Sequence, residues 1–99
     1  MGGAWPFDDH PDLGVFVTHE VLRQGMPILW VHHAHDGDWA FGSAGGFEVD
    51  TTSLVHLSHV VDQHPEIAVL ADLPRGWRAE RTSADEAWFR EETDEEDDE

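Results

Sequence analysis

Hydrophobic residues in the first third of the chain follow the two-residue period that is typical of β-strands. Residues 13–18 (LGVFVT) are rich in β-branched and aromatic side chains, which favours a strand. In residues 27–33 (PILWVHH), both alternating sets are largely apolar up to the two histidines. A strand that is apolar on both faces is typical of a central position, so we expect residues 27–33 to lie inside a sheet.

A hairpin is predicted to follow this strand. The pair Asp36-Gly37 is a common hairpin turn, because Gly37 can adopt a positive φ at little steric cost. Residues 39–43 (WAFGS) then form the returning strand, which places Trp39 and Phe41 on the same face of the sheet.

Short helices are predicted at three places in the chain. Residues 19–24 (HEVLRQ) form a single helical turn that stops at a glycine. Residues 58–64 form a second helix with Ser58 as its N-cap, after a short apolar stretch at residues 54–57. Residues 65–70 form a third helix after a break, because proline is tolerated in a first helical turn.

The end of the folded part is predicted to contain a turn and further extended chain. Residues 72–76 (DLPRG) predict a tight turn. Residues 77–82 (WRAERT) alternate in polarity and predict a last main strand, placed at an edge of the sheet. Trp88 and Phe89 then close the fold.

The order of strands, short helices and a strand predicts an α+β protein, in which short helices pack on one side of a small antiparallel sheet. We expect a leader at residues 1–12 that docks through Trp5 and Phe7, and one domain over residues 13–90. Residues 91–99 contain no apolar side chain, so we expect a disordered acidic tail there.

Charge narrows the class of partner. The chain has 22 acidic residues, five arginines and no lysine, which gives a net charge of −17. Eight acids lie in residues 91–99, so the rest of the chain keeps 14 acids against five arginines, or −9. Such a potential repels nucleic acids and anionic membranes and attracts cationic partners. We therefore expect a protein partner, with no nucleic acid and no membrane, and a chain that is a monomer or a weak dimer.

The absence of cysteine excludes disulfides, thiolate metal sites and cysteine nucleophiles. It also fits a reducing compartment, so we expect a cytoplasmic protein. No run of 18 apolar residues is present, which predicts that nothing spans a membrane.

Eight histidines raise the alternative of a metal site. His33, His35 and Asp36 combine imidazole and carboxylate groups, which are ligands of zinc, nickel and copper. No histidine pair has the spacing of a known zinc motif, however, so we expect no metal and no cofactor.

Catalytic motifs are missing from the sequence. No GxSxG motif surrounds Ser43 or Ser58, and the GSAGG segment lacks the lysine of a phosphate-binding loop. We therefore expect a binding module and not an enzyme.

Two motifs resemble the immunity protein 33 family, formerly called domain of unknown function 2185. The likeness spans about residues 13–89 and is most specific in Asp36-Gly37-Asp38-Trp39 and in Asp72-Leu73-Pro74-Arg75-Gly76-Trp77, followed by Ala79 and Arg81. The resemblance implies an α+β fold and a bacterial protein that neutralises a toxin by binding it. It brings no catalytic residue.

The motifs of this resemblance supply the candidate binding residues, which are Asp36, Asp38, Trp39, Arg75 and Trp77. A basic toxin, such as a nuclease, would be complementary to the acidic chain. Two alternatives stay open, namely a small histidine-rich metal-binding domain and a cytosolic regulatory protein whose acidic tail provides solubility.

Overall fold

The computed structural model describes residues 5, 7, 9–43 and 52–93. Strands and short helices alternate irregularly in this part of the chain, which confirms the α+β class. In chain order, the elements are β1 (Gly14–Thr18), α1 (His19–Gln24), β2 (Trp30–His33), β3 (Trp39–Gly42), β4 (Thr52–His56), α2 (Leu57–Gln63), a 3₁₀ helix (Pro65–Leu70), β5 (Trp77–Glu80) and β6 (Phe89–Glu92).

The strands form one six-stranded sheet in the order β4-β1-β3-β2-β5-β6. Four of its strand pairs are antiparallel, whereas β1 and β3 pair in parallel, with Phe16 opposite Ala40. The expectation of a purely antiparallel sheet was therefore wrong. After β1 and α1, β2 lies two positions away from β1 in the sheet. β3, which follows β2 in the hairpin, fills the position between β1 and β2.

Two predicted strand positions can be compared with this order. β2 lies between β3 and β5, which confirms its central position, although the strand begins at Trp30 and not at residue 27. β5 pairs with both β2 and β6, so the expectation that it forms an edge was wrong. The edge is instead β6, and it includes Glu91 and Glu92, two residues that the sequence prediction assigned to the tail. Residues 94–99 lie outside the described part.

The core lies on one face of the sheet. Val15 and Val17 are fully buried, whereas Phe16 between them is 37% exposed on the opposite face. The helices supply the other half of the core, because residues 57–70 connect β4 to β5 across the strands between them. Buried apolar side chains on the helical side are Val21, Leu57, Val60, Ile67 and Leu70.

Helix α2 begins without the side-chain cap that was predicted for Ser58. Its N-cap residue is His56, and no side chain bonds the free N–H groups of the first turn. Two of these groups donate instead to backbone carbonyls, Leu57 to Leu13 at 2.8 Å and Ser58 to Pro11 at 2.9 Å. Main-chain bonds to the segment before β1 therefore satisfy the helix start.

Docking of the leader through its aromatic residues is confirmed for its described residues. Phe7 is 5% exposed and meets the Trp39 ring edge-on, with ring centroids 5.2 Å apart. Trp5 packs against Phe7, and its indole N–H donates to the Asp9 carbonyl at 2.6 Å. The leader thus closes one end of the core.

A close approach of Trp30 to the backbone of β3 should make Gly42 hard to replace. The two residues are paired across β2 and β3, and a Cβ added at Gly42 would overlap the indole ring. We expect Gly42→Ala to lower the free energy of unfolding by about 1–3 kcal/mol, measured by urea denaturation. In a Trp30→Leu background this cost should fall. An equal cost in both backgrounds would contradict the steric explanation.

Candidate functional site

The two sequence motifs meet at one end of the sheet. In the β2–β3 turn, Gly37 has a φ of 100° and its N–H donates to the Ala34 carbonyl at 3.0 Å. The Asp36 carboxylate accepts the backbone N–H of Asp38 at 3.1 Å. The turn therefore holds two exposed carboxylates on a bonded frame.

The second motif packs directly on this turn. Gly76 has a φ of 83°, and its N–H donates to the His33 carbonyl at 2.6 Å. The His35 ring lies against Gly76, while the Arg75 guanidinium lies 3.1 Å from where a Cβ of Gly37 would stand. The structure thus brings together Asp36, Asp38 and Arg75, and we call these three residues the hairpin end.

The two tryptophans of the motifs lie beneath the hairpin end. Trp39 is 1% exposed and stacks on His33, with ring centroids 3.8 Å apart and planes inclined by 13°. Its indole N–H donates to the Asp9 carboxylate at 2.7 Å. Trp77 is half-buried and is paired with His33 across β2 and β5. Trp39 therefore supports the turn from the core and offers no surface to a partner.

The alternative metal site is not assembled among the described residues. His33 is 8% exposed, and its Nδ1 bonds the Leu73 carbonyl at 2.7 Å. His35 is exposed and packs on Gly76, and Asp36 bonds within its own turn. Over the described ranges, no three histidine, aspartate or glutamate side chains are grouped to hold a metal ion.

A serine–histidine pair that the sequence did not indicate joins β4 to α1. Ser53 Oγ and His19 Nε2 are 3.0 Å apart, although the residues are 34 positions apart in the chain. A nucleophilic serine needs a base that a third group orients, and no described contact places a carboxylate on His19. The pair is therefore explained as a hydrogen bond that fastens the edge strand to the helix.

A cleft between the two α-helices is one concave feature of the described residues. It has a volume of about 240 Å³ and is lined by apolar side chains together with His59, Gln63 and His64. This volume is below the roughly 300 Å³ at which pockets for small molecules begin. The cleft therefore does not define a substrate site.

The sheet face opposite the core carries exposed apolar side chains. Leu54 is 64% exposed and is paired with Phe16, which is 37% exposed. Ala40, His32 and Arg78 continue the same row across the sheet. Exposed apolar surface in an otherwise polar setting is typical of interaction sites. Sequence reasoning missed this surface because it assigned no strand to residues 52–53 and did not place residue 54 beside β1.

Three of the five arginines in the described part are paired within the chain. Arg78 pairs with Glu91 across β5 and β6, and Arg90 bonds Asp72 at 2.7 Å. The Arg81 side chain is only 5% exposed, and two of its nitrogens donate to the Ile28 carbonyl at 2.8 and 3.0 Å.

By contrast, none of the acidic side chains in the described ranges is buried. The 13 acids of the described residues outnumber the five arginines by eight, so the surface keeps a negative excess after these pairs have formed. Within the same ranges, no helix has the length and apolar character needed to cross a bilayer.

Comparisons of the chain with protein-family models, with curated proteins and with solved structures found no match. The resemblance to the immunity protein 33 family therefore stays a prediction from the sequence motifs.

The bond between Asp9 and Trp39 should couple the leader to the hairpin end. Asp9→Ala removes the acceptor of a buried indole N–H, which should lower the free energy of unfolding by about 1–3 kcal/mol. Asp9→Asn keeps an acceptor oxygen and should cost less. Urea denaturation followed by tryptophan fluorescence measures both variants, and equal losses would show that this bond contributes nothing.

The ion pair between Arg90 and Asp72 should be visible in the titration of the carboxyl group. The hydrogen bond from Arg90, and then its charge, hold the pKa of Asp72 below the ordinary value of 3.8. This pair therefore favours the folded state above pH 3.8, and its contribution is lost as the pH falls through the lowered pKa. In Arg90→Gln, the pKa of Asp72 should rise toward 3.8 in an NMR titration. An unchanged pKa would contradict the pairing.

Proposed function

We propose that this protein is a non-catalytic binding module for a basic protein partner. It binds and neutralises this partner in the way that an immunity protein neutralises its toxin. The observation that carries the proposal is the charge distribution of the described residues. The described residues hold 13 acidic side chains, none of them buried, against five arginines, three of which are paired within the chain. In this proposal the chain acts in the cytoplasm as a monomer or a weak dimer.

An unbalanced negative surface favours fast and selective association with a cationic protein. Complementary charge raises the rate of encounter and disfavours partners of like charge. The net charge of −17 therefore opposes nucleic acids and other acidic proteins as partners. The described part of the chain keeps 13 acids against five arginines, so a net charge of −8 lies on a folded body that needs no ordering at the moment of binding.

The hairpin end supports this proposal because one of its two carboxylates, that of Asp36, is held in place. The Asp36 side chain closes its own turn, and the motif at Gly76 packs against the same turn. A carboxylate on such a frame loses little side-chain freedom when it meets a lysine or arginine of a partner. Arg75 lies at the same place and would select for a partner with a mixed charge pattern.

Capture of a partner tests the proposal. The immobilised protein is exposed to a lysate of the source cell, and retained proteins are identified and purified. We expect a protein with an isoelectric point above about 9, whose affinity falls at least about tenfold between about 50 mM and 500 mM salt. If the retained proteins are acidic, or if their binding ignores salt, the proposal is wrong.

A matched pair of variants tests the hairpin end. Asp36→Asn with Asp38→Asn removes two exposed charges and keeps the oxygen that closes the turn. Asp85→Asn with Glu86→Gln removes two exposed charges in another turn. The first pair should slow association with the captured partner several-fold more than the second, as measured by surface plasmon resonance. If both pairs of variants slow association equally, the overall charge and not the hairpin end determines the association rate.

A further inference from the structure

The two edges of the sheet differ in their protection against strand addition. β6 has the sequence FREE, with three charged residues among four. β4 has the sequence TSLVH and carries no acidic or basic residue other than its histidine. Charged side chains on an edge strand discourage the pairing of another chain. Only the β6 edge has this protection among the described residues.

The register of β4 shows which of its peptide groups face outward. The N–H of Leu57 donates to the Leu13 carbonyl at 2.8 Å and so points toward the β1 side, while the N–H of Leu13 donates to His10. Hydrogen-bonded and non-bonded pairs alternate along an antiparallel ladder. Leu54 and Phe16 are therefore a non-bonded pair. The N–H and C=O of Leu54, and the N–H of His56, point away from β1 toward the open edge.

Apolar surface adjoins these outward peptide groups. Leu54 leans over Gly14, where an added Cβ would lie 3.2 Å from its side chain, and Phe16 lies beside it. A shallow groove follows the edge and is lined by Asp12, Gly14, Leu54, Val55, His56 and His59. The edge therefore offers backbone bonds and an apolar contact in one place.

Charge selects the occupant of this edge. A second copy of the chain would bring a further net charge of −17, and the two copies would repel each other. Asp12 borders the groove, and in the sequence Glu48 and Asp50 come shortly before β4, in a stretch without lysine or arginine. An extended segment that carries lysine or arginine next to an apolar residue is complementary to this setting.

We propose that β4 accepts an extended segment of the basic partner as an added antiparallel or parallel strand. Backbone bonds to Leu54 would provide affinity, and an apolar side chain packed on Leu54 and Phe16 would provide specificity. The inference rests on the proposed function, since the segment belongs to the basic partner proposed above.

A synthetic peptide that alternates lysine and valine serves as the probe, and a peptide that alternates glutamate and valine serves as its control. Amide hydrogen exchange is followed by NMR at about 1 mM peptide, a concentration that populates even weak complexes. The lysine peptide should slow exchange of the Leu54 and His56 amides at least about fivefold, and the glutamate peptide should not.

A matched pair of variants separates the edge from general electrostatics. Leu54→Lys places a positive charge on the edge strand. Val69→Lys places the same charge on the 3₁₀ helix, at a residue of similar exposure, since Val69 is 59% exposed and Leu54 is 64% exposed. Leu54→Lys should weaken binding of the lysine peptide at least about tenfold, and Val69→Lys less than about threefold. Thermal unfolding confirms that both variants fold.

Four results would overturn this inference. Exchange at Leu54 and His56 could be unchanged by the lysine peptide, or both variants could weaken binding equally. The edge amides could also become protected as the protein itself is concentrated without peptide, which would identify a second copy as the occupant. A captured basic protein that leaves these amides unprotected would refute the edge inference and leave the proposed function intact. Failure to capture any basic protein would count against the proposed function itself.

Discussion

The structure depends on a sheet that buries only one of its faces. Because successive side chains of a strand point to opposite faces, burial of Val15 and Val17 forces Phe16 outward. The same alternation sends Phe41 into the core and Ala40 to the other face. The connection from β4 to β5 carries both later helices across the inner face, where they complete the core. The exposure of Phe16 and Leu54 on the outer face is thus a direct consequence of how the core is built.

Arg81 is an arginine whose side chain is almost completely buried. Its guanidinium donates to the Ile28 and Ala84 carbonyls and lies 4.3 Å from the centre of the Trp88 ring. A charge with this little exposure is stable only when hydrogen bonds or an opposite charge replace its lost hydration, and Glu66 lies 3.5 Å away as such a charge. Arg81 thereby joins the segment before β2 to the segment before β6. Arg78 and Arg90 pair with Glu91 and Asp72 at the surface, and the excess of acids over arginines defines the surface potential.

Local features were predictable from sequence, and long-range ones were not. Gly25 ends α1 with a φ of 71°, and Gly37 turns the hairpin with a φ of 100°, as the neighbouring residues indicated. The parallel pairing of β1 with β3 joins strands that are separated by α1 and β2, and no local pattern encodes that choice. The hairpin end was found through its motifs, but the burial of Trp39 and the outer face depend on register and neighbours.

The difference between the two edges of the sheet indicates where a partner would bind, which the charge of the surface alone does not. An acidic surface attracts basic proteins from every direction, and such steering sets the encounter rate without choosing a contact. A contact requires groups that lose water and gain partners. β4 supplies outward peptide groups next to Leu54, whereas the Arg78–Glu91 pair keeps the β6 side of the same face occupied by its own ion pair. In the proposed interaction, the acidic surface therefore guides the approach of the partner, and β4 is where the partner docks. The hairpin end contributes to the approach more than to the docking.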